Sequence, residues 1–158
     1  MTTIAWDGKT LAADSQSQQE NIICSQQEIK LYVTTTDKAW TINGLPILAF
    51  GTSGDCGAET EIIDALISDL SYKTEFIPLH SFEMIAVVGE NEAFIVNKNR
   101  DSTSAYISFH KGKYAIGSGG LIATAAMQCG KNAEEAVKVA IDIDLYTGGQ
   151  INTFSLIV

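Results

Sequence analysis

Tight two-residue turns between apolar or β-branched flanks constrain this chain more than any other feature. In "TTIAWDGKTLAAD" the Asp7-Gly8 pair is a strong short hairpin signal, because both turn positions need positive φ. The stretch "AWTINGLPILAFGTSG" turns in the same way at Asn43-Gly44, and Pro46 places the start of its returning strand at an edge or bulge. "FEMIAVVGENEAFIVN" makes a third hairpin, and "SAYISFHKGKYAIGS" supplies two further strands. Ile29–Val33 is a short strand with Lys30 on one face and Leu31 on the other. The glutamine-rich stretch before it, "SQSQQENIICSQQE", reads as a crossing loop.

Helical periodicity appears only in blocks. Ile62, Ile63, Leu66, Ile67 and Leu70 form one apolar stripe on a helix predicted from about Asp55 to Leu70. "GGLIATAAMQCG" predicts a second helix ending at Gly130. Asn132 with Glu135 three residues on is a capping box for a third, buried along Ala136, Val137, Ala140 and Ile141. "YTGGQ" ends it, and "INTFSLIV" is a closing strand. Hairpins and helices in separate blocks favour an α+β class, helices layered on antiparallel sheets, over a doubly wound parallel sheet.

With 158 residues and no internal linker, the expectation is a single domain over residues 1–158. The formal charge of −9 and ten scattered basic residues argue against nucleic acid as a partner. No apolar run reaches the ~18 residues of a membrane span, and the start lacks a basic region followed by an apolar one. A cytoplasmic location is therefore expected. Cys24, Cys56 and Cys129 have no local pairing, which suits reduced thiols behaving as small hydrophobes. His80 and His110 lie far apart without ligand spacing, so no zinc or other metal site is expected. Trp40 and Tyr32 read as packing or subunit-contact residues.

No serine-hydrolase elbow, phosphate loop or metalloprotease helix is present. "GTSGDCG" could hold an anion before a helix but lacks the Lys-Ser/Thr pair of a phosphate loop. Thr2 is a different matter. A threonine hydroxyl needs a base, and removal of Met1 would give Thr2 its own, an α-amine with a pKa of about 7.7–8.0. A neighbouring ammonium lowers that value further by repulsion, and a carboxylate holds the ammonium in place. Lys30 and Asp14, 16 residues apart on adjacent strands, are the candidates.

These residues carry a resemblance. "TTIAWDGKTLAADSQ", the 16-residue interval from Asp14 to Lys30, "LAFGTSGD", "YAIGSGGLIATAA" and "AIDIDLYTGG" occur in the order of similar blocks in proteasome β-subunits and their bacterial relative HslV. The chain thus resembles members of the N-terminal-nucleophile hydrolase superfamily over nearly its whole length. That resemblance implies a four-layer αββα sandwich and a threonine endopeptidase acting through an acyl-enzyme. Thr2 would be the nucleophile, Lys30 would tune its amine and Asp14 would orient Lys30. Gly51 would donate to the oxyanion, with Ser118, Asp144 and Thr147 supporting the amine. Ala49 would shape the pocket for the residue before the cut, and Gln18, Gly51 and Ser53 would pair with substrate backbone. Gln18 stands where the family often has threonine, and Thr147 where proteasomes have serine. No organic cofactor is implied; by the same resemblance, the carbonyls of Ile141, Asp144 and Thr147 are where such loops in the family can ring a monovalent cation. Polypeptide substrates, a homo-oligomer (two stacked rings of six or seven subunits, or an open spiral) and an ATP-dependent unfoldase would be the partners. The rival readings are a catalytically silent ring subunit and an amidase acting on a small amide.

Overall fold

Asp7 shows how local chemistry starts the fold. Its Oδ1 accepts the N–H groups of Lys9 (2.9 Å) and Thr10 (2.8 Å), and Gly8 adopts φ +100°, so β1 (Ile4–Trp6) reverses into β2 (Thr10–Ala13) as expected. The computed structural model describes residues 2–35 and 37–157. After β2 come β3 (Ser17–Gln19), β4 (Ile22–Ser25), β5 (Leu31–Val33), β6 (Thr41–Ile42), β7 (Leu45–Pro46), β8 (Ala49–Gly54) and α1 (Ala58–Ile67). The second half holds β9 (Phe82–Gly89), β10 (Glu92–Lys98), β11 (Tyr106–Lys111), β12 (Tyr114–Ile116), α2 (Gly120–Gln128), α3 (Ala133–Ile143) and β13 (Asn152–Ser155).

This is a mixed α/β fold, with three helices and several antiparallel sheets among the described residues. One sheet runs β12-β1-β2-β13, with Ile4 between Ala13 and Ile116. The other runs β11-β10-β9-β8-β5. Two short hairpins, β3-β4 and β6-β7, stand apart from both. Three apolar clusters hold these pieces together. Ile4, Trp6 and Leu11 of the first sheet meet Ala49, Ile85 and Val87 of the second. On its opposite face the first sheet offers Ala5 and Ala12 to Ala123 and Met127 of α2 and Val137 of α3. The second sheet likewise packs Phe50, Met84 and Phe94 against Ile62 and Leu66 of α1.

The predicted elements mostly appear, with instructive differences. Asn43 (φ +49°) and Gly44 (φ +81°) make the expected turn, but β8 then leaves β6 and pairs with β5 and β9. The predicted loop contains a hairpin, β3-β4, reversed where Glu20 takes φ +54°. Strands β11 and β12 follow one another yet enter different sheets. The first helix begins at Ala58 rather than Asp55, because Gly54 (φ +134°) and Gly57 (φ +91°) are outside helical backbone space. The capping box of Asn132 and Glu135 forms, and Asp7 Oδ2 accepts the Ala133 N–H at 2.8 Å, tying α3 to the first turn. All three cysteines are free and exposed, so they are unpaired thiols as expected but do not serve as small hydrophobes of the core. Among the described residues no helix is long and apolar enough to cross a membrane.

Candidate active site

The chain leaves β2 at Asp14, whose carboxylate is fully buried. A buried carboxylate needs partners, and Asp14 has them on both oxygens. Oδ1 accepts the Lys30 Nζ at 2.9 Å and the Thr3 N–H at 3.1 Å; Oδ2 accepts the N–H groups of Gly148 at 3.0 Å and Gln16 at 3.4 Å. Lys30 enters from the residue before β5, only 6% exposed, and also donates to the Gln16 carbonyl. Burial holds the Lys30 ammonium below its ordinary pKa, against the opposing pull of Asp14.

A second polar chain reaches Thr2 from the other side. The Thr2 main-chain nitrogen donates to Ser118 Oγ at 3.2 Å. Ser118 and Thr147 each donate to Asp144 Oδ2 at 2.6 Å, and Thr3 Oγ1 hydrogen-bonds Thr147 Oγ1 at 2.8 Å. Burial pushes the Asp144 carboxyl up, but the Ser118 and Thr147 hydroxyls and the Tyr146 N–H outweigh it and hold the group below its ordinary value. Gly117 makes this close approach geometrically feasible: at φ +93°, a Cβ there would lie 2.0 Å from the Thr2 carbonyl oxygen.

Thr2 and Lys30 line one cavity of about 220 Å³, together with Gln16, Gln18, Tyr32 and Thr52. Ser53 and Ser118 line a neighbouring cavity, and Gly54 borders both. The structure therefore brings Thr2, Asp14, Lys30, Gln18, Ser118, Asp144 and Thr147 into one region. The expected removal of Met1 falls outside the described residues. Of the carbonyls expected around a cation, that of Asp144 accepts the Thr147 N–H at 3.2 Å.

Gly51 and Ala49 are not brought to the cavity. Ala49 packs in the inter-sheet cluster, and a Cβ on Gly51 would meet Ile4 at 2.6 Å. The main chain agrees. Thr52 N donates to the Lys30 carbonyl at 3.0 Å, and neighbouring strand residues point their N–H groups to opposite sides. The Gly51 N–H is thus directed at β9, opposite Ile85. The expected roles of Ala49 and Gly51 are corrected for this reason: a one-residue offset along a strand exchanges its two faces. The face turned toward the cavity side carries Phe50, stacked on Tyr32 at 5.0 Å, and the segment lining the cavity is Thr52 and Gly54. Sequence reasoning also missed Thr3, Gln16 and Gly148. Their only local signal was proximity, to Thr2, to Asp14 and to the "YTGG" break.

No protein-family model and no curated protein matches this chain. Solved structures do share its fold. Thiobacillus denitrificans BPH in complex with epoxomicin aligns with a TM-score of 0.64 at 16% identity, over 98% of this chain and 97% of that one. A second structure of Thiobacillus denitrificans BPH gives 0.61 at 16% identity, over 98% and 96%. The Anbu (Gly-1) mutant from Hyphomicrobium sp. strain MC1 gives 0.60 at 9% identity, over 97% and 80%. At these identities the likeness shows a fold alone. It also corrects the assignment drawn from the motifs. The matched structures carry the names BPH and Anbu, and no sequence match ties the chain to proteasome β-subunits or HslV.

Proposed function

We propose that this chain is a threonine-type endopeptidase whose nucleophile is the hydroxyl of Thr2, made N-terminal by loss of Met1. One observation supports this above all. Lys30, held by the buried Asp14, lines the same cavity as Thr2, and the Ser118–Asp144–Thr147 chain reaches the Thr2 nitrogen. In the proposed reaction the Thr2 amine takes the hydroxyl proton, directly or through a water, as Oγ1 attacks the peptide carbonyl carbon. The Lys30 ammonium keeps the amine unprotonated by repulsion, while Ser118 holds the amine nitrogen. The oxyanion is stabilised from the Gly54 end of β8, which lines the cavity, and one such donor contributes about 2.7–4 kcal/mol. The amine then passes its proton to the leaving nitrogen, giving an ester on Oγ1 that water resolves by the reverse proton path. An extended peptide would add as a strand between Gln18 and the β8 edge, where β5 ends.

In this reading the two larger sheets are the inner layers of an αββα sandwich, with α2 and α3 outside one and α1 outside the other. The exposed Leu121, Ile143 and Leu145 suit subunit contacts in a homo-oligomer that encloses the sites, with an ATP-dependent unfoldase as supplier of polypeptide.

Intact-mass measurement before and after treatment with a peptide epoxyketone tests the proposal. Epoxomicin, the compound in complex with Thiobacillus denitrificans BPH, is the natural probe. The expected result is a chain lacking Met1 that gains one inhibitor mass, and a Thr2→Ala variant that gains none. A chain that keeps Met1, takes no adduct and leaves unfolded polypeptides intact refutes it.

A further inference from the structure

We infer that the cavity beside Thr2 selects peptides with a lysine or arginine immediately before the cleaved bond. This inference deepens the endopeptidase reading and rests on it. The cavity has about 220 Å³, room for one large side chain given that ~150 Å³ holds a benzene. Its wall carries Glu28, Asp55 and Glu59, with Lys30 as the opposing charge. The charges are not equally engaged. Lys30 is bound to Asp14, and both Asp55 oxygens accept the Arg100 guanidinium at 2.9 Å. Glu59 receives the N–H of Gly57 at 3.0 Å through Oε2. Glu28 and Glu59 are therefore the carboxylates placed to meet an incoming side chain.

Their field reaches into the cavity at Tyr32. Burial first, then Glu59 and Glu28, push the Tyr32 phenol up to about 12. The Tyr32 hydroxyl donates to the Ile29 carbonyl at 3.1 Å, and its ring is backed by Phe50. An aromatic face flanked by two carboxylates attracts a cation by charge and by the ring quadrupole. The same pair repels an acidic side chain, and a leucine would dehydrate both carboxylates without replacing their hydrogen bonds. The long methylene stem of lysine or arginine packs against the ring while its head reaches the acids.

Fluorogenic peptides that differ only in the last residue before the reporter test this: arginine, lysine, leucine or glutamate. The enzymes are the wild type, Glu28→Gln, Glu59→Gln and the double variant. Arginine and lysine peptides are expected to have the highest kcat/KM. Each substitution is expected to lower the arginine-to-leucine ratio by about fivefold, and both together by about 25-fold. The leucine rate should hold or rise, because each substitution removes a carboxylate that leucine would dehydrate, and retained epoxyketone labelling of Thr2 reports an intact catalytic centre in each variant. Leucine or glutamate peptides cleaved as fast as arginine peptides overturn the specificity and leave the peptidase reading standing. So does a ratio unmoved by either substitution. No hydrolysis of any peptide, with no epoxyketone adduct, overturns both.

Discussion

Removing the Lys30 ammonium exposes how the candidate site is built. At 2.9 Å the Lys30–Asp14 attraction amounts to about 6 kcal/mol for an effective dielectric of ~20. Dehydrating both groups offsets that attraction, and the lowered pKa of Lys30 says burial prevails over the pull of its partner. The pair is thus a positioning device more than a source of stability. Lys30→Met leaves the Asp14 carboxylate buried with the N–H groups of Thr3, Gln16 and Gly148 but no cation, and should cost about 3–5 kcal/mol. Asp14→Asn strands the ammonium on the Gln16 carbonyl and should cost a similar amount. The double variant removes both charges at once, so its loss should resemble one single variant rather than the sum of two. Urea unfolding of the four proteins at neutral pH measures this, and epoxyketone labelling reports Thr2 in each. All three variants should label at a small fraction of the wild-type rate. Single losses that add to within about 0.5 kcal/mol would show that the two charges act independently. Normal labelling of Lys30→Met would remove Lys30 from the mechanism.

Gly117→Ala places a Cβ against the Thr2 carbonyl oxygen and should abolish labelling, whereas Gly112→Ala has similar φ strain (+96° against +93°) and nothing within 4 Å. Both should lose about 1–2 kcal/mol to backbone strain, so labelling of the pair separates collision from strain. The folded pKa of Asp144 lies below its unfolded value near 3.8, so its stabilisation is present above that pH and fades as pH falls through the folded pKa. Asp144→Asn should therefore lose stability at neutral pH and lose little in strong acid, as read from urea unfolding at both. Tyr32 has the opposite sign, with a folded pKa of about 12 above its unfolded 10.0, so its stabilisation holds below pH 10.0 and disappears as pH rises through the folded value. A phenolate absorbance titration should lose its highest step in Tyr32→Phe, and loss of a step near the ordinary value instead would contradict the half-buried placement beside Glu59 and Glu28.

Local rules were legible wherever a residue and its partner are neighbours in sequence. Asp7-Gly8, Asn43-Gly44 and the Asn132–Glu135 box each specify a turn or cap through hydrogen bonds and φ values that span a few residues. The polar pair Asp14 and Lys30 was legible too, because the chemistry of an N-terminal threonine calls for an ammonium held by a carboxylate on an adjacent strand, and these two residues meet. Ser118, Asp144 and Thr147 were named only through the resemblance of their motifs, and the cavity that Thr2 lines is assembled from β3, β5, β8 and the α1 entry. Tertiary structure alone decided which face of β8 looks at that cavity. Its partners Lys30 and Ile85 lie far away in sequence, and a shift of one residue exchanges Phe50 and Thr52 for Ala49 and Gly51. Long-range pairing likewise sent β12 to β1 rather than to β11, and it left the three cysteines on the surface. Composition and periodicity report what a segment can bury; the register against distant strands decides what it does bury.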